Sequence, residues 1–333
     1  SKACEEVIKT IPKMEKMYDC ILVDEAQDFD KNFLSLCLKV LGEEKRLVYA
    51  YDELQQLNEE TMPTPKEIFG EEIQNDTPLT VCYRNQSPVI VTAHAIGMGM
   101  YREGYDLPLQ MPSSPNVWEA IGYESSKEIR DGEEVTLYRT TRTSPELLKV
   151  DRNEIIEFLA YEDFTELKKA LIQSLRNDIN KEMLLPSDIM IIDMDAIGSL
   201  TNRASIMTMV NMEDNYEGNL SIHMAGSLSP EDFFRKDSIV YTSVFRAKGN
   251  ETFMVYIVNA QRCINSLIPR SDRNALFTAI TRSKGWVKVM GYGEEMKVLC
   301  KEFEQVKNND FKLHFSHYPT KDERKQMILN NSD

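Results

Sequence analysis

The sequence predicts an α/β protein made of two lobes, each a mainly parallel sheet flanked by helices. Two observations carry that expectation. Short apolar runs of strand-forming residues stop abruptly on polar or charged side chains: Ile21–Val23 on Asp24-Glu25, Leu47–Tyr51 on Asp52, and Leu79–Cys82 on Tyr83-Arg84. Segments with helical spacing of apolar residues alternate with these runs, the pattern of strand–helix–strand units.

In chain order, residues 1–17 place Val7, Ile8, Ile11 and Met14 at roughly helical spacing, with Pro12 as an interruption. Residues 30–41 read as a helix with an apolar stripe (Phe33, Leu34, Cys37, Val40, Leu41) stopped by Gly42. Residues 61–78 contain Pro63, Pro65 and Pro78 and read as a surface loop. Residues 86–101 read as a helix that closes the first lobe. The pattern then weakens to about residue 150, apart from a strand over Val135–Tyr138. Helices are expected over 152–161, 164–182 and 196–212, where Met207, Met209 and Met212 read as core filling. Ile189–Asp193, Ile239–Ser243, Phe253–Val258 and Val287–Gly291 read as buried strands, and residues 273–284 as a helix ending at Thr281-Arg282. The assigned boundaries are 1–105 for an incomplete first lobe, 106–300 for the second lobe and 301–333 for a polar, peripheral tail.

Composition bounds the function. The 333 residues are 42% hydrophobic and 28% charged, an ordinary globular balance with room for two cores. No apolar run approaches the roughly 20 residues that span a bilayer, so no membrane association is expected. The six cysteines (Cys4, Cys20, Cys37, Cys82, Cys263, Cys300) form no C-x-x-C pair and read as reduced thiols of a cytoplasmic protein. His314 and His317 have no further ligands beside them, so a zinc site is not expected. The formal charge of −15 excludes a protein that coats nucleic acid by bulk electrostatics, but not one that grips a few phosphates in a local groove.

The chemistry concentrates at the strand ends. In an open parallel sheet, ligands sit outside the carboxyl ends of the strands. A carboxylate pair there suits a metal–phosphate site, one acid holding Mg²⁺ and the other orienting a nucleophilic water. An Asp-Glu pair alone is an ordinary acidic turn; the run Asp24-Glu25-Ala26-Gln27-Asp28 is far rarer, and it resembles motif II, the Walker B element, of the UvrD/Rep-type superfamily 1 helicases. Asp52 and Gln55 then fall on the Asp and Gln of a motif III, with Tyr51 where the family has Gly. Tyr83-Arg84 resembles motif IV. Ser243, Lys248, Gly249 and Glu251 match motif V, with Phe245 in place of His and Asn250 in place of Leu. Leu276-Phe277-Thr278-Ala279-Ile280-Thr281-Arg282 resembles motif VI.

That resemblance covers roughly residues 18–295, in the family's order. It implies two RecA-like (P-loop NTPase) lobes and an ATP-dependent motor on single-stranded DNA, of 3′→5′ polarity. By carry-over, Asp24 holds Mg²⁺ and Glu25 activates water; Gln55, Arg84 and Arg282 attend the γ-phosphate. Tyr83 stacks on the adenine, Glu251 holds the ribose, and Thr242 and Ser243 contact the nucleic-acid backbone. An arginine finger of this kind is worth about 10³–10⁵ in rate. These motifs contact backbone more than base, so RNA stays an alternative substrate.

One part is missing. No G-x-x-x-x-G-K-[ST] phosphate loop occurs in the sequence. The chain therefore reads as the C-terminal part of a longer helicase, or as one whose phosphate loop comes from another chain, the first being favoured; alone it is expected to be inactive. The stretch between Arg84 and Ser243 leaves little room for the family's large accessory insertion. The alternative from another class is a helicase-like module of a repair or defence complex that kept the lobes and lost the motor, for which the Tyr51 and Phe245 departures speak.

Overall fold

The computed structural model describes residues 2–11, 13–52, 65–70, 77–112, 114–146, 150–213, 220–229, 231–264 and 269–329. By internal packing the chain divides into two compact units, Ser1–Pro78 and Leu79–Asp333. The protein is α/β throughout.

The first unit runs α1 (Lys2–Thr10), β1 (Tyr18–Val23), α2 (Lys31–Val40), β2 (Leu41–Tyr49) and α3 (Pro65–Phe69). The strands pair in parallel, with Ile21 opposite Leu47 and Val23 opposite Tyr49. Asp30 caps α2 by accepting the Phe33 N–H at 2.9 Å, a contact worth about 1 kcal/mol. Val23, Ala26, Leu34, Cys37, Leu41, Leu47 and Ile68 form its core. Gly42 does not stop α2 as the sequence suggested: the helix ends at Val40 and Gly42 already lies in β2.

The second unit opens with α4 (Ser87–Gly97), α5 (Asn116–Ala120), β3 (Glu124–Ser125), β4 (Val135–Tyr138), α6 (Arg152–Ile155), β5 (Ile156–Tyr161) and α7 (Phe164–Asn180). It continues with β6 (Ile189–Asp193), α8 (Ser199–Glu213), β7 (Ile222–Met224), β8 (Ile239–Ser243), α9 (Val244–Ala247) and β9 (Thr252–Val258). The last elements are α10 (Pro269–Ile280), β10 (Ser283–Tyr292), α11 (Gly293–Asn308), β11 (Leu313–Phe315) and α12 (Lys321–Leu329). Six strands form one all-parallel sheet in the order β5-β10-β9-β6-β8-β7. Both faces of the central strands are buried, which is why β6, β8 and β9 read as unbroken apolar runs. On one face Ile189, Ile191, Tyr241, Met254 and Tyr256 pack with Leu167, Leu171 and Leu175 of α7 and Ile206 and Val210 of α8. Helices α4, α9, α10 and α11 pack among themselves as a second layer.

Several expectations change. Residues 152–161 are not one helix: only Arg152–Ile155 is helical, and Ile156–Tyr161 is an edge strand paired with β10. Leu79–Cys82 forms no strand. It is held by the Cys82 N–H on the Thr143 carbonyl (2.9 Å) and by Arg139 on the Thr80 carbonyl (3.1 Å), single contacts that make no ladder. Helix α4, assigned by sequence to the first lobe, is buried nearly all round within the second unit and packs on α10 and α11. Met207 and Met209 pack against the core, whereas Met212 is exposed. The expected peripheral tail instead supplies β11, which pairs antiparallel with β4, and Tyr318, which is wholly buried and accepts the Trp118 indole N–H. Among the described residues no helix is long and apolar enough to cross a membrane.

Candidate functional site

The carboxyl end of β1 is a tight polar turn. Glu25 adopts a left-handed backbone (φ 52°, ψ 44°), a conformation that costs a non-glycine residue about 1 kcal/mol or more. The Asp24 carboxylate accepts the Glu25 N–H at 2.9 Å. Gln27, buried beneath the turn, donates through Nε2 to Glu25 Oε2 (2.5 Å), and its Oε1 accepts the Asp52 N–H (3.1 Å). One amide thereby joins the end of β1 to the end of β2, the segments resembling motifs II and III. The sequence reading had not singled out Gln27; its only signal was a neutral amide inside an acidic run. Asp24 is exposed, its orientation fixed by that backbone bond. Mg²⁺ is held in phosphate-transfer sites by one or two carboxylates together with phosphate oxygens, a donor set that Asp24 fits. Among the described residues no group of three or more His, Cys, Asp or Glu could hold a metal. Gln55 lies outside the described residues.

In the second unit, the segments resembling motifs IV, V and VI meet at the amino ends of β9 and β10. Arg84 Nε donates to the Glu251 carboxylate across 167 residues of sequence. Lys284 Nζ lies 3.9 Å from the same carboxylate and 4.7 Å from the centre of the Phe253 ring. Two cations thus share one acid, each about a third exposed, where a pair contributes only about 0–1 kcal/mol to stability. The arrangement suits recognition better than scaffolding. Tyr83 is 75% exposed, its ring open to stacking. Asn85, 3% exposed, donates from Nδ2 to the carbonyls of Ser283 (2.7 Å) and Thr281 (3.3 Å). It pins Tyr83-Arg84 to the turn that carries Arg282, and the sequence reading passed over it. Arg282 is 1% exposed, with Nε donating to the Thr278 carbonyl (3.0 Å) and Nη2 to Thr281 Oγ1 (3.3 Å). Its guanidinium is thus bonded to its own helix end.

The residues expected on the nucleic acid lie at the opposite edge of the sheet. Thr242 is wholly buried, while Ser243 lines a crevice of about 490 Å³ together with Arg203, His223, Arg235 and Arg246. Buried Asp193 organises this edge: its carboxylate accepts from Tyr241 Oη (2.7 Å), Asn259 Nδ2 (2.7 Å), Asn202 Nδ2 (2.9 Å) and the Asp195 N–H (2.9 Å). Burial and that carboxylate push the Tyr241 phenol well above its ordinary range, keeping it a donor.

The fold and this arrangement define an α/β protein whose second unit carries a six-stranded all-parallel sheet with a polar cluster at each end of its central strands. Residues 238–290 match the family model of the UvrD-like helicase C-terminal domain, and this stretch holds Thr242, Ser243, Glu251 and Arg282. Among solved structures, the C-terminal domain of a possible DNA helicase from Lactobacillus plantarum WCFS1 is similar at 14% identity, over 43% of this chain and 84% of that one, with a TM-score of 0.31. No curated protein matches the chain.

Proposed function

We propose that the protein is the C-terminal part of an ATP-dependent superfamily 1 DNA helicase or translocase, moving 3′→5′ on single-stranded DNA. The observation that carries the reading is the meeting of Arg84 with Glu251, and of Asn85 with the Thr281–Ser283 turn. Segments 167 and 198 residues apart in sequence converge on one polar cluster, as motifs of a nucleotide site would. In this reading Tyr83 stacks on the base, and Glu251 leaves Arg84 to take the ribose. Arg84 and Arg282 stabilise the γ-phosphate by forked donors, Asp24 holds Mg²⁺, and Glu25, oriented by Gln27, takes the proton of the attacking water. Gln55 is assigned to the γ-phosphate by resemblance alone. The phosphate loop that the sequence lacks is supplied in cis or in trans.

The test is ATP hydrolysis by the complete polypeptide, with and without single-stranded DNA. The expected result is DNA-stimulated turnover that Glu25→Gln lowers by about 10²–10⁴-fold, the usual worth of a positioned general base. An undiminished rate in that variant refutes the assignment of Glu25. The inward-turned Arg282 favours a second reading, a helicase-like module without motor activity. Complete absence of DNA-stimulated hydrolysis and strand displacement would select it.

A further inference from the structure

The polar cluster at the amino ends of β9 and β10 holds one cation more than the motifs use. Lys284 is the second residue of β10, and its backbone is fixed. The Ser283 hydroxyl accepts the Gly285 N–H (3.0 Å) and faces the carbonyls of Phe253 (3.1 Å) and Trp286 (2.9 Å). The Lys284 ammonium stands 4.7 Å from the centre of the Phe253 ring and 3.9 Å from the Glu251 carboxylate. Glu251 is delivered to the same place by the turn after α9, in which Gly249 takes φ +82° and the Asn250 N–H donates to the Ala247 carbonyl (3.0 Å). Arg84 reaches that carboxylate through Nε, one residue before the Asn85 that pins its backbone. Glu251 therefore has two cationic partners of different kinds, a guanidinium in direct contact and an ammonium held over an aromatic face.

The nucleotide reading asks two things of this cluster at once. Arg84 must turn to a phosphate, and Glu251 must stay behind to meet a ribose. A carboxylate that loses its guanidinium just as a triphosphate arrives is repelled by each of the incoming charges. Lys284 removes that conflict. An ammonium is a compact point charge with three donors on a flexible stem. From 3.9 Å it needs about 1 Å of travel to make a normal charge-assisted bond to Glu251. The Phe253 ring meanwhile keeps it at the cluster, and the Ser283 contacts keep its backbone still. Arg84 now occupies the near position on the carboxylate and Lys284 the far one. An exchange of those positions frees the forked donors of Arg84 and leaves Glu251 neutralised in place.

We propose that Lys284 is a positioning residue for the nucleotide: it takes over the Glu251 carboxylate when Arg84 leaves for the phosphates, and so holds that carboxylate on the ribose hydroxyls. The inference rests on the nucleotide part of the proposed function and deepens it by a residue to which the motifs assign no role. The experiment is steady-state hydrolysis by the complete polypeptide with saturating oligo-dT. Its substrates are ATP and 2′,3′-dideoxy-ATP, which lacks both ribose hydroxyls. Lys284→Met is expected to raise KM for ATP about tenfold, the worth of one charge-assisted hydrogen bond. Its kcat should stay within about threefold, because the saturated complex has already drawn Arg84 away. KM for the dideoxy nucleotide should change much less, so that the preference for ribose shrinks toward that of Glu251→Ala. Lys284→Arg should keep the preference. In a Glu251→Ala background Lys284→Met should add nothing, because the carboxylate it serves is gone. Lys301→Met, which removes an exposed cation of α11, should leave both KM values unchanged. Equal rises in KM for the two nucleotides, or additive losses in the double variant, make Lys284 a merely structural residue and overturn the proposal. So does an unchanged KM for ATP in Lys284→Met. Those outcomes differ from failure of the nucleotide reading itself, in which the unaltered polypeptide turns over no ATP and the proposal falls with it. Lys284 is about a third exposed, and an unchanged melting temperature would show that its variant is folded.

Discussion

Replacing Asn85 tests whether the polar cluster is held together as described. Its amide is 3% exposed and donates two bonds to carbonyls of the Thr281–Ser283 turn, whose residues are themselves 1–3% exposed. A neutral hydrogen bond is worth about 1 kcal/mol net, and a buried acceptor left without its donor costs a further share. Asn85→Ala should therefore destabilise the second unit by roughly 2–3 kcal/mol, about 4–12 °C in melting temperature for a body of this size. Both tryptophans, Trp118 and Trp286, lie in Leu79–Asp333, so their fluorescence on heating follows that unit alone. Asn85→Asp keeps the shape but sets carboxylate oxygens against two carbonyls, and should be at least as damaging. Asn85→Asp melting within 1 °C of the unaltered protein would refute the argument, since no packing change could mask the lost donors.

Further predictions concern buried charge. Arg273 and Glu302 form a bidentate pair (2.6 and 2.7 Å) that is almost fully buried, with Arg273 also donating to the Ile96 carbonyl at 3.1 Å. Arg273→Met should cost roughly 3–5 kcal/mol by stranding the acid, and adding Glu302→Leu should recover much of it. If urea titration shows no recovery, the loss belongs to the Ile96 contact instead. His94 is held neutral in a pocket of Trp118, Tyr123 and Phe277, burial first and Arg139 second lowering its pKa to about 3. The unfolded chain binds that proton near pH 6.5 and the folded one only near 3. Stability attributable to His94 is therefore complete above pH 6.5 and falls by about 1.4 kcal/mol per pH unit as pH drops through the window toward 3. His94→Gln should flatten that slope in unfolding experiments at pH 4–7; an unchanged slope assigns it to other groups.

The parallel sheet was legible because strands buried on both faces need apolar residues at every position, a pattern that Ile189–Ile192 and Phe253–Val258 carry without interruption. Edge elements were not. Ile155, Ile156, Phe158 and Leu159 satisfy helical spacing as well as they satisfy a strand, and pairing with β10 decides the matter for residues 156–161. Three-residue β7 offers too little pattern to register. Charged site residues stood out in the sequence, but Gln27, Asn85 and Asp193 did not. A polar residue beside charged ones looks like solvated turn, and its role emerges only when partners 25 to 198 residues away arrive.

The geometry of the six-stranded sheet also separates two kinds of chemistry. Arg84, Glu251 and Lys284 gather where β9 and β10 begin, whereas Ser243, Arg203 and Arg246 gather where β6, β7 and β8 end. Strands of five to seven residues hold those edges roughly 20 Å apart at about 3.3 Å per residue. The two clusters are joined through the sheet and through the short α9 segment, whose Arg246 precedes Glu251 by five residues. Asp193 is the natural relay at one end: it bonds Tyr241 of β8, Asn202 of α8 and Asn259 just past β9. At the other, Asn85 bonds the turn between α10 and β10. Strand β9 begins beside Glu251 and ends beside Asn259, so it runs from one polar cluster to the other. β9 is interior to the sheet and buried along most of its length, which makes it a rigid connection between the two clusters.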